Sequence, residues 1–269
     1  MKSIDLIRSL SNAPGVSGFE DEVLKVARTY IGNDLEIEED RMRNLFMEKT
    51  GKKDDLPCVM LDAHSDEVGF MVQSINSNGT LKFLALGGWS PQNVGAHAVS
   101  IRNTKGDWIR GIVATKPTHF LTADEQKTPP SLAKMVIDVG ATSKEEVINR
   151  FHIKIGAPVV PEVSFTYDEK NDLIIGKAFD DRLGCAAMLQ AVKDLALSDL
   201  DVNVTGVMST QEELGLRGIK VAVSKVNPDI AIALEGTPAD DTFNSNDFIQ
   251  AGLKKGPQIR HVDRSVLCN

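Results

Sequence analysis

Residues 174–209 read IIGKAFDDRLGCAAMLQAVKDLALSDLDVNVTGVMS, and this stretch decides the fold. Its apolar opening, Ile174 to Ala178, predicts a strand. Asp181 to Leu197 predicts a helix, with Leu183, Ala187, Ala191 and Leu195 recurring every four residues. Val202 to Ser209 predicts a second strand. Strand, helix and strand in this order make the βαβ unit of an α/β domain. The pattern continues toward the C-terminus with a helix over Gly218–Val226 and an apolar strand over Asp229–Leu234. Toward the N-terminus, Ser3 to Ser11 predicts a helix with Ile4, Ile7 and Leu10 on one face, followed by a Pro/Gly loop over Asn12–Gly18. Ser17 and Glu20 match a capping box ahead of a second helix, with Val23, Val26, Ala27 and Tyr30 facing inward. Leu35 to Glu48 reads as extended segments around a turn, Gly51 to Pro57 as a polar loop, and Cys58 to Asp62 as a strand of the buried type.

The texture between these flanks is different. Val68–Ile75, Leu81–Leu86, Val99–Asn103 and Trp108–Ala114 read as short strands separated by glycine and charged turns. One helix is expected there, over Ser143–Phe151. The economical fold is therefore α/β: a mixed sheet flanked by helices, interrupted by an inserted β-rich, barrel-like domain. Residues 1–66 and 164–269 would form the α/β domain and residues 67–163 the insert.

The 269 residues carry a net charge of −8, which argues against a nucleic-acid partner. No apolar run approaches the ~20 residues needed to cross a bilayer. The first ten residues place Asp5 and Arg8 inside their apolar pattern, unlike a signal peptide, so a cytoplasmic location is expected. Three scattered cysteines, Cys58, Cys185 and Cys268, make neither a disulfide framework nor a thiolate zinc knot, and the first two read as buried thiols. No pair of the five histidines has HExxH spacing, so a metal site would have to be assembled from distant pieces.

Four segments share one design, an apolar strand ending in acids or a histidine. They end at His64-Ser-Asp66-Glu67, at Asp180-Asp181-Arg182, at Glu212-Glu213 and at Glu235. Ligands in open α/β sheets bind beyond the carboxyl ends of the strands. Gathered there, one imidazole and several carboxylates suit zinc, cobalt or manganese. Without cations so many carboxylates would repel one another. Taken singly, each has an ordinary reading: Asp180-Asp181 as a helix cap, Glu212-Glu213 as a solvated pair, a lone His-x-Asp as a polar pair. The order of all four is what is specific.

The chain resembles the M42 aminopeptidases, which include glutamyl aminopeptidases and the tetrahedral TET peptidases. The resemblance rests on Ala63-His-Ser-Asp-Glu-Val-Gly69, Lys116-Pro-Thr-His-Phe120, Lys177-Ala-Phe-Asp-Asp-Arg-Leu-Gly-Cys185 and Gln211-Glu-Glu-Leu-Gly-Leu-Arg-Gly218, with Gly256 to Ser265 similar to the family's late strand. It implies a metallo-aminopeptidase with two divalent ions, zinc or cobalt foremost and manganese next. His64 and Glu235 would bind the first ion and Glu213 the second, Asp180 would bridge both, and Glu212 would be the general base. Asp66 would hydrogen-bond the far nitrogen of His64. The family commonly has Asp where this chain has Glu235. The resemblance also implies a cis Asp180–Asp181 peptide, peptide substrates, dimerisation through the insert and a dodecameric homo-oligomer.

The family pattern also implies a longer chain, whose later part supplies a last histidine ligand to the second ion. The α/β domain is thus expected to be incomplete at its C-terminal side, with a weak second site and impaired turnover. None of the remaining histidines matches that ligand's motif: His261 lies in the expected late strand but is disfavoured as a substitute, His119 reads as a structural or inter-subunit contact, and His97 and His152 read as surface or boundary residues. Two competing readings are a non-catalytic or decayed paralogue that keeps fold and assembly surface, and a glycoside hydrolase. The second is disfavoured because a glycosidase needs two carboxyls flanking a sugar bond.

Overall fold

The computed structural model describes residues 2–262 except 52, 54 and 197. The chain forms two units, Met1–Glu235 and Gly236–Asn269. In the first, helices α1 (Ser3–Asn12) and α2 (Asp21–Ile31) precede strands β1 (Glu36–Glu39), β2 (Leu45–Glu48) and β3 (Cys58–His64). β4 (Gly69–Ile75), β5 (Leu81–Leu86), β6 (Ala98–Arg102) and β7 (Trp108–Ala114) follow, then α3 (Ala123–Lys127), β8 (Val136–Asp138), α4 (Lys144–Asn149) and β9 (Pro158–Pro161). The unit closes with β10 (Thr166–Asp168), β11 (Leu173–Ile175), α5 (Phe179–Ala196), β12 (Asn203–Ser209), α6 (Arg217–Val226) and β13 (Ile230–Ala233).

The mixed sheet runs β1-β2-β12-β3-β13. β3 pairs in parallel with both β12 and β13, while β2 pairs antiparallel with β12. Six of the seven β3 residues are buried, as an unbroken apolar run between two parallel neighbours requires. Its core includes Leu6, Leu24, Ile31, Leu45, Met47, Leu61, Met188, Leu189 and Met208. Six further strands close a barrel, β4-β5-β8-β7-β6-β9, around a separate core with Phe70, Leu81, Ile101, Ile137 and Val159.

Several local expectations are corrected. α2 is not capped by a Ser17/Glu20 box: its cap residue Glu20 makes no side-chain capping bond. Ile174–Ala178 does not reach the mixed sheet, because β11 pairs with β10 in a two-stranded hairpin. α5 buries Cys185, Met188, Leu189 and Val192, whereas Leu183 of the expected stripe is 37% exposed. Apolar residues encircle this helix, so spacing alone did not fix its phase. The barrel segment carries α3 besides the expected helix; Thr122 and Glu125 give it a complete capping box. In the second unit, residues 256–261 form no strand, and Asp263 to Ser265 and Cys268 lie outside the described residues. Cys58 and Cys185 are buried free thiols, and the Asp180–Asp181 peptide is cis.

Candidate metal and catalytic centre

Parallel pairing puts the carboxyl ends of β3, β12 and β13 side by side, with Ser209 in register with His64 and Ala233 with Asp62. Beyond those ends lie His64, the turn after Ser209 with Glu212 and Glu213, and Glu235. Asp180 arrives at the start of α5. His64 is 2% exposed. Its Nε2 lies 2.9 Å from Asp180 Oδ1, 3.4 Å from Glu235 Oε1 and 3.9 Å from Glu212 Oε2. Among the described residues, two clusters have ligand atoms within 4.8 Å of one another: His64, Asp180 and Glu235, and His64, Glu212 and Glu213. Neither contains both Asp180 and Glu213.

Asp66 is wholly buried. Its Oδ1 is 3.4 Å from His64 Nδ1, but Nδ1 is without a hydrogen-bonded partner among the described residues. The stronger partners of Asp66 are elsewhere. The Glu212 N–H donates to Oδ1 at 2.9 Å, the Glu213 N–H to Oδ2 at 3.2 Å, and the Ser17 hydroxyl to Oδ2 at 2.5 Å. The carboxylate thus holds the Glu212–Glu213 turn at least as firmly as it faces the imidazole.

A second, unanticipated layer supports the loops. Arg182 is fully buried and donates to the carbonyls of Leu10, Ala13, Gly15 and Ser65 at 2.6, 2.8, 3.3 and 3.0 Å. Glu67, also buried, accepts from Lys177 Nζ at 2.5 Å and from the Gly15 N–H at 3.0 Å, with Arg182 at 3.5 Å. These charges knit the α1–α2 loop to the segment after β3. Gly87 of the barrel, at φ +83°, closes one wall: a Cβ there would lie 2.6 Å from Val68 Cγ1 and 3.2 Å from Glu213 Oε2.

Burial, with repulsion from neighbouring acids, pushes Asp62 and Glu213 up to about 7 and Asp181 up to about 8. Glu212 is raised for the same reason. Burial would lower His64, but its contacts with Asp180, Asp66 and Glu235 outweigh that and hold the imidazole charged well above its ordinary range. Several carboxyl groups thus crowd one imidazole, and burial with mutual repulsion favours the protonated forms of Asp62, Glu213 and Asp181. An imidazole nitrogen with carboxylate oxygens is also a donor set that divalent cations accept. The residues present therefore fit such a cation.

A profile of the M42 glutamyl aminopeptidase family matches residues 43–269. The chain belongs to the M42 aminopeptidase family. These are hydrolases acting on peptides. The glutamyl aminopeptidase of Lactococcus lactis subsp. cremoris is 33% identical over 268 residues, which cover 98% of this chain and 74% of that protein. The TET aminopeptidase of a Thaumarchaeota archaeon from marine sediment superposes with a TM-score of 0.92 at 36% identity, covering 99% of this chain and 75% of the other. The TET1 peptidase of Pyrococcus horikoshii, which can assemble into a tetrahedron or a large octahedral shell, gives a TM-score of 0.78 at 27% identity over 87% of this chain and 68% of its own. As an M42 chain, the molecule has the expected fold, the mixed sheet with a barrel between its strands.

Of the sequence candidates, His64, Asp180, Glu212 and Glu235 converge on one nitrogen, and Glu213 joins through the second cluster. Asp66 stands behind them. Ser17 and Glu20 were expected only as a helix cap and Asp181 only as part of one, while Glu67, Lys177 and Arg182 had no expected role. Lys177, Asp181 and Arg182 flank Asp180 inside a quoted motif, which was the available signal.

Proposed function

We propose that this chain is a metal-dependent aminopeptidase that removes N-terminal residues from peptides. The observation that carries the reading is the buried His64 Nε2 facing Asp180, Glu235 and Glu212 from three separate elements. His64, Asp180 and Glu235 would hold one divalent cation. Asp180 and Glu213 would serve a second, with zinc or cobalt the best match to the donors and manganese next. His64 Nε2 is nearest to Asp180 and Glu235, so the second position is left with carboxylates and should bind more weakly. A cation here would polarise the scissile carbonyl and acidify a water. Glu212, raised by burial, takes the proton of the attacking water and returns it to the leaving amine. Asp66 faces the imidazole and holds the base turn. Three carboxylates aimed at one imidazole nitrogen do not flank a sugar bond, which speaks against the glycosidase reading.

The barrel, residues 67–163 in the proposed division, is the dimerisation module of a homo-oligomer. The shells formed by TET1 peptidase support that reading. The test is hydrolysis of glutamyl, leucyl and lysyl p-nitroanilides beside their N-acetylated forms. The free-amine substrates should be cleaved, cleavage should stop with 1,10-phenanthroline, and added Co²⁺ or Zn²⁺ should restore it. Equal cleavage of acetylated substrates, or indifference to the chelator, would overturn the proposal.

A further inference from the structure

Ser17 and Glu20 have the spacing of a capping box, yet both side chains turn away from α2 and toward the turn that carries Glu212. Ser17 is 4% exposed and Glu20 3%. Glu20 Oε1 accepts the Gln211 N–H at 3.2 Å and the Gly18 N–H at 2.8 Å. The Ser17 hydroxyl donates to Asp66 Oδ2 at 2.5 Å, and Asp66 in turn accepts the Glu212 and Glu213 N–H groups. Three consecutive amides, of Gln211, Glu212 and Glu213, therefore end on two buried carboxylates.

The turn needs that hold. Gln211 has φ +53°, the left-handed region that a residue with a side chain adopts at a cost. The Gln211 N–H bond to Glu20 offsets that cost at the residue preceding Glu212. Asp66 has a rotatable carboxyl, and the Ser17 hydroxyl fixes its plane so that Oδ1 and Oδ2 meet successive amides. Burial makes the arrangement stringent, because a buried polar atom that loses its partner has no water to replace it.

We propose that Ser17 and Glu20 are positioning residues for the Glu212–Glu213 turn: Ser17 acts through Asp66, and Glu20 acts directly on the Gln211 amide. The proposal rests on the reading of Glu212 as general base, but its test separates the two. Ser17→Ala removes the hydroxyl and Glu20→Ala the acceptor, while Glu20→Gln keeps a carbonyl oxygen for both amides. In metal-free protein, backbone hydrogen exchange over residues 211–216 should quicken roughly tenfold in Ser17→Ala and Glu20→Ala, with the barrel and α2 unchanged, and should return to the wild-type rate in Glu20→Gln. With metal and an aminoacyl p-nitroanilide, the two alanine variants should lose roughly tenfold in kcat with KM within about twofold, and Glu20→Gln should recover it.

Unchanged exchange over residues 211–216 would overturn the proposal. So would exchange that quickens in α2 instead, the signature of a lost cap, or a rise in KM with kcat intact. The exchange measurement needs no turnover. A wild-type protein that hydrolyses nothing would therefore sink the aminopeptidase reading, and exchange would still decide the positioning role.

Discussion

Replacing Arg182 by Met tests the buried charge layer. Met keeps most of the side-chain volume and removes every donor, so the loss is polar and not a cavity. The guanidinium serves four carbonyls, but two of them keep another donor. Ala13 O is also reached by Lys177 Nζ at 3.4 Å, and Gly15 O by the Glu67 N–H at 3.0 Å. Among the described residues, Arg182 alone donates to the Leu10 and Ser65 carbonyls, at 2.6 and 3.0 Å. Each orphaned buried acceptor costs about 1–3 kcal/mol, so the pair should cost about 2–6 kcal/mol. Glu67 keeps Lys177 at 2.5 Å and the Gly15 amide, which spares the larger penalty of a stranded charge. Against a typical stability of about 5–15 kcal/mol, the variant should be folded but much weakened. Urea unfolding of the metal-free protein would measure this. Arg182→Lys should lose less, because one ammonium can still satisfy one of the two carbonyls. A loss under about 1 kcal/mol in Arg182→Met would refute the claim that this side chain binds the α1–α2 loop to the segment after β3.

Two further outcomes are expected. Glu212→Gln should keep metal binding but lower kcat by roughly 10²–10⁴-fold, read from nitroanilide hydrolysis beside metal content; equal turnover would remove Glu212 as the base. Burial raises Glu20 from an ordinary 4.5 to about 7, so the folded protein holds that proton more tightly than the unfolded chain. Metal-free stability should therefore fall as pH rises from about 4.5 through about 7. Glu20→Gln should flatten part of that fall in a pH series of urea midpoints, and an unchanged slope would contradict the assignment.

What the sequence disclosed follows from which signals are local. The apolar runs of β3, β12 and β13 and the acids at their ends are short-range patterns, and parallel pairing turned them into one site. The phase of α5 was not legible, because an apolar residue stands on every side of it and only the sheet selects Met188 and Leu189. The hairpin of β10 and β11 was missed because strand pairing is a long-range choice that a three-residue run does not encode. Nothing in the local sequence marks Lys177 or Arg182 as buried. The burial of Arg182 depends on carbonyls from residues 10 to 15, far away in the chain. Ser17 and Glu20 gave a true local signal for a cap, and tertiary partners outcompeted it: Asp66 for the hydroxyl, Gln211 for the carboxylate.

The most direct test of the account is metal stoichiometry joined to turnover. Protein stripped of metal and dialysed should hydrolyse no aminoacyl p-nitroanilide. Titrated with Co²⁺, it should take up one tightly held ion per chain, at His64, Asp180 and Glu235, with a second binding more weakly, and hydrolysis should appear only as metal is bound. His64→Ala should abolish the tight uptake. Full hydrolysis by stripped protein, or tight uptake that survives His64→Ala, would contradict the account.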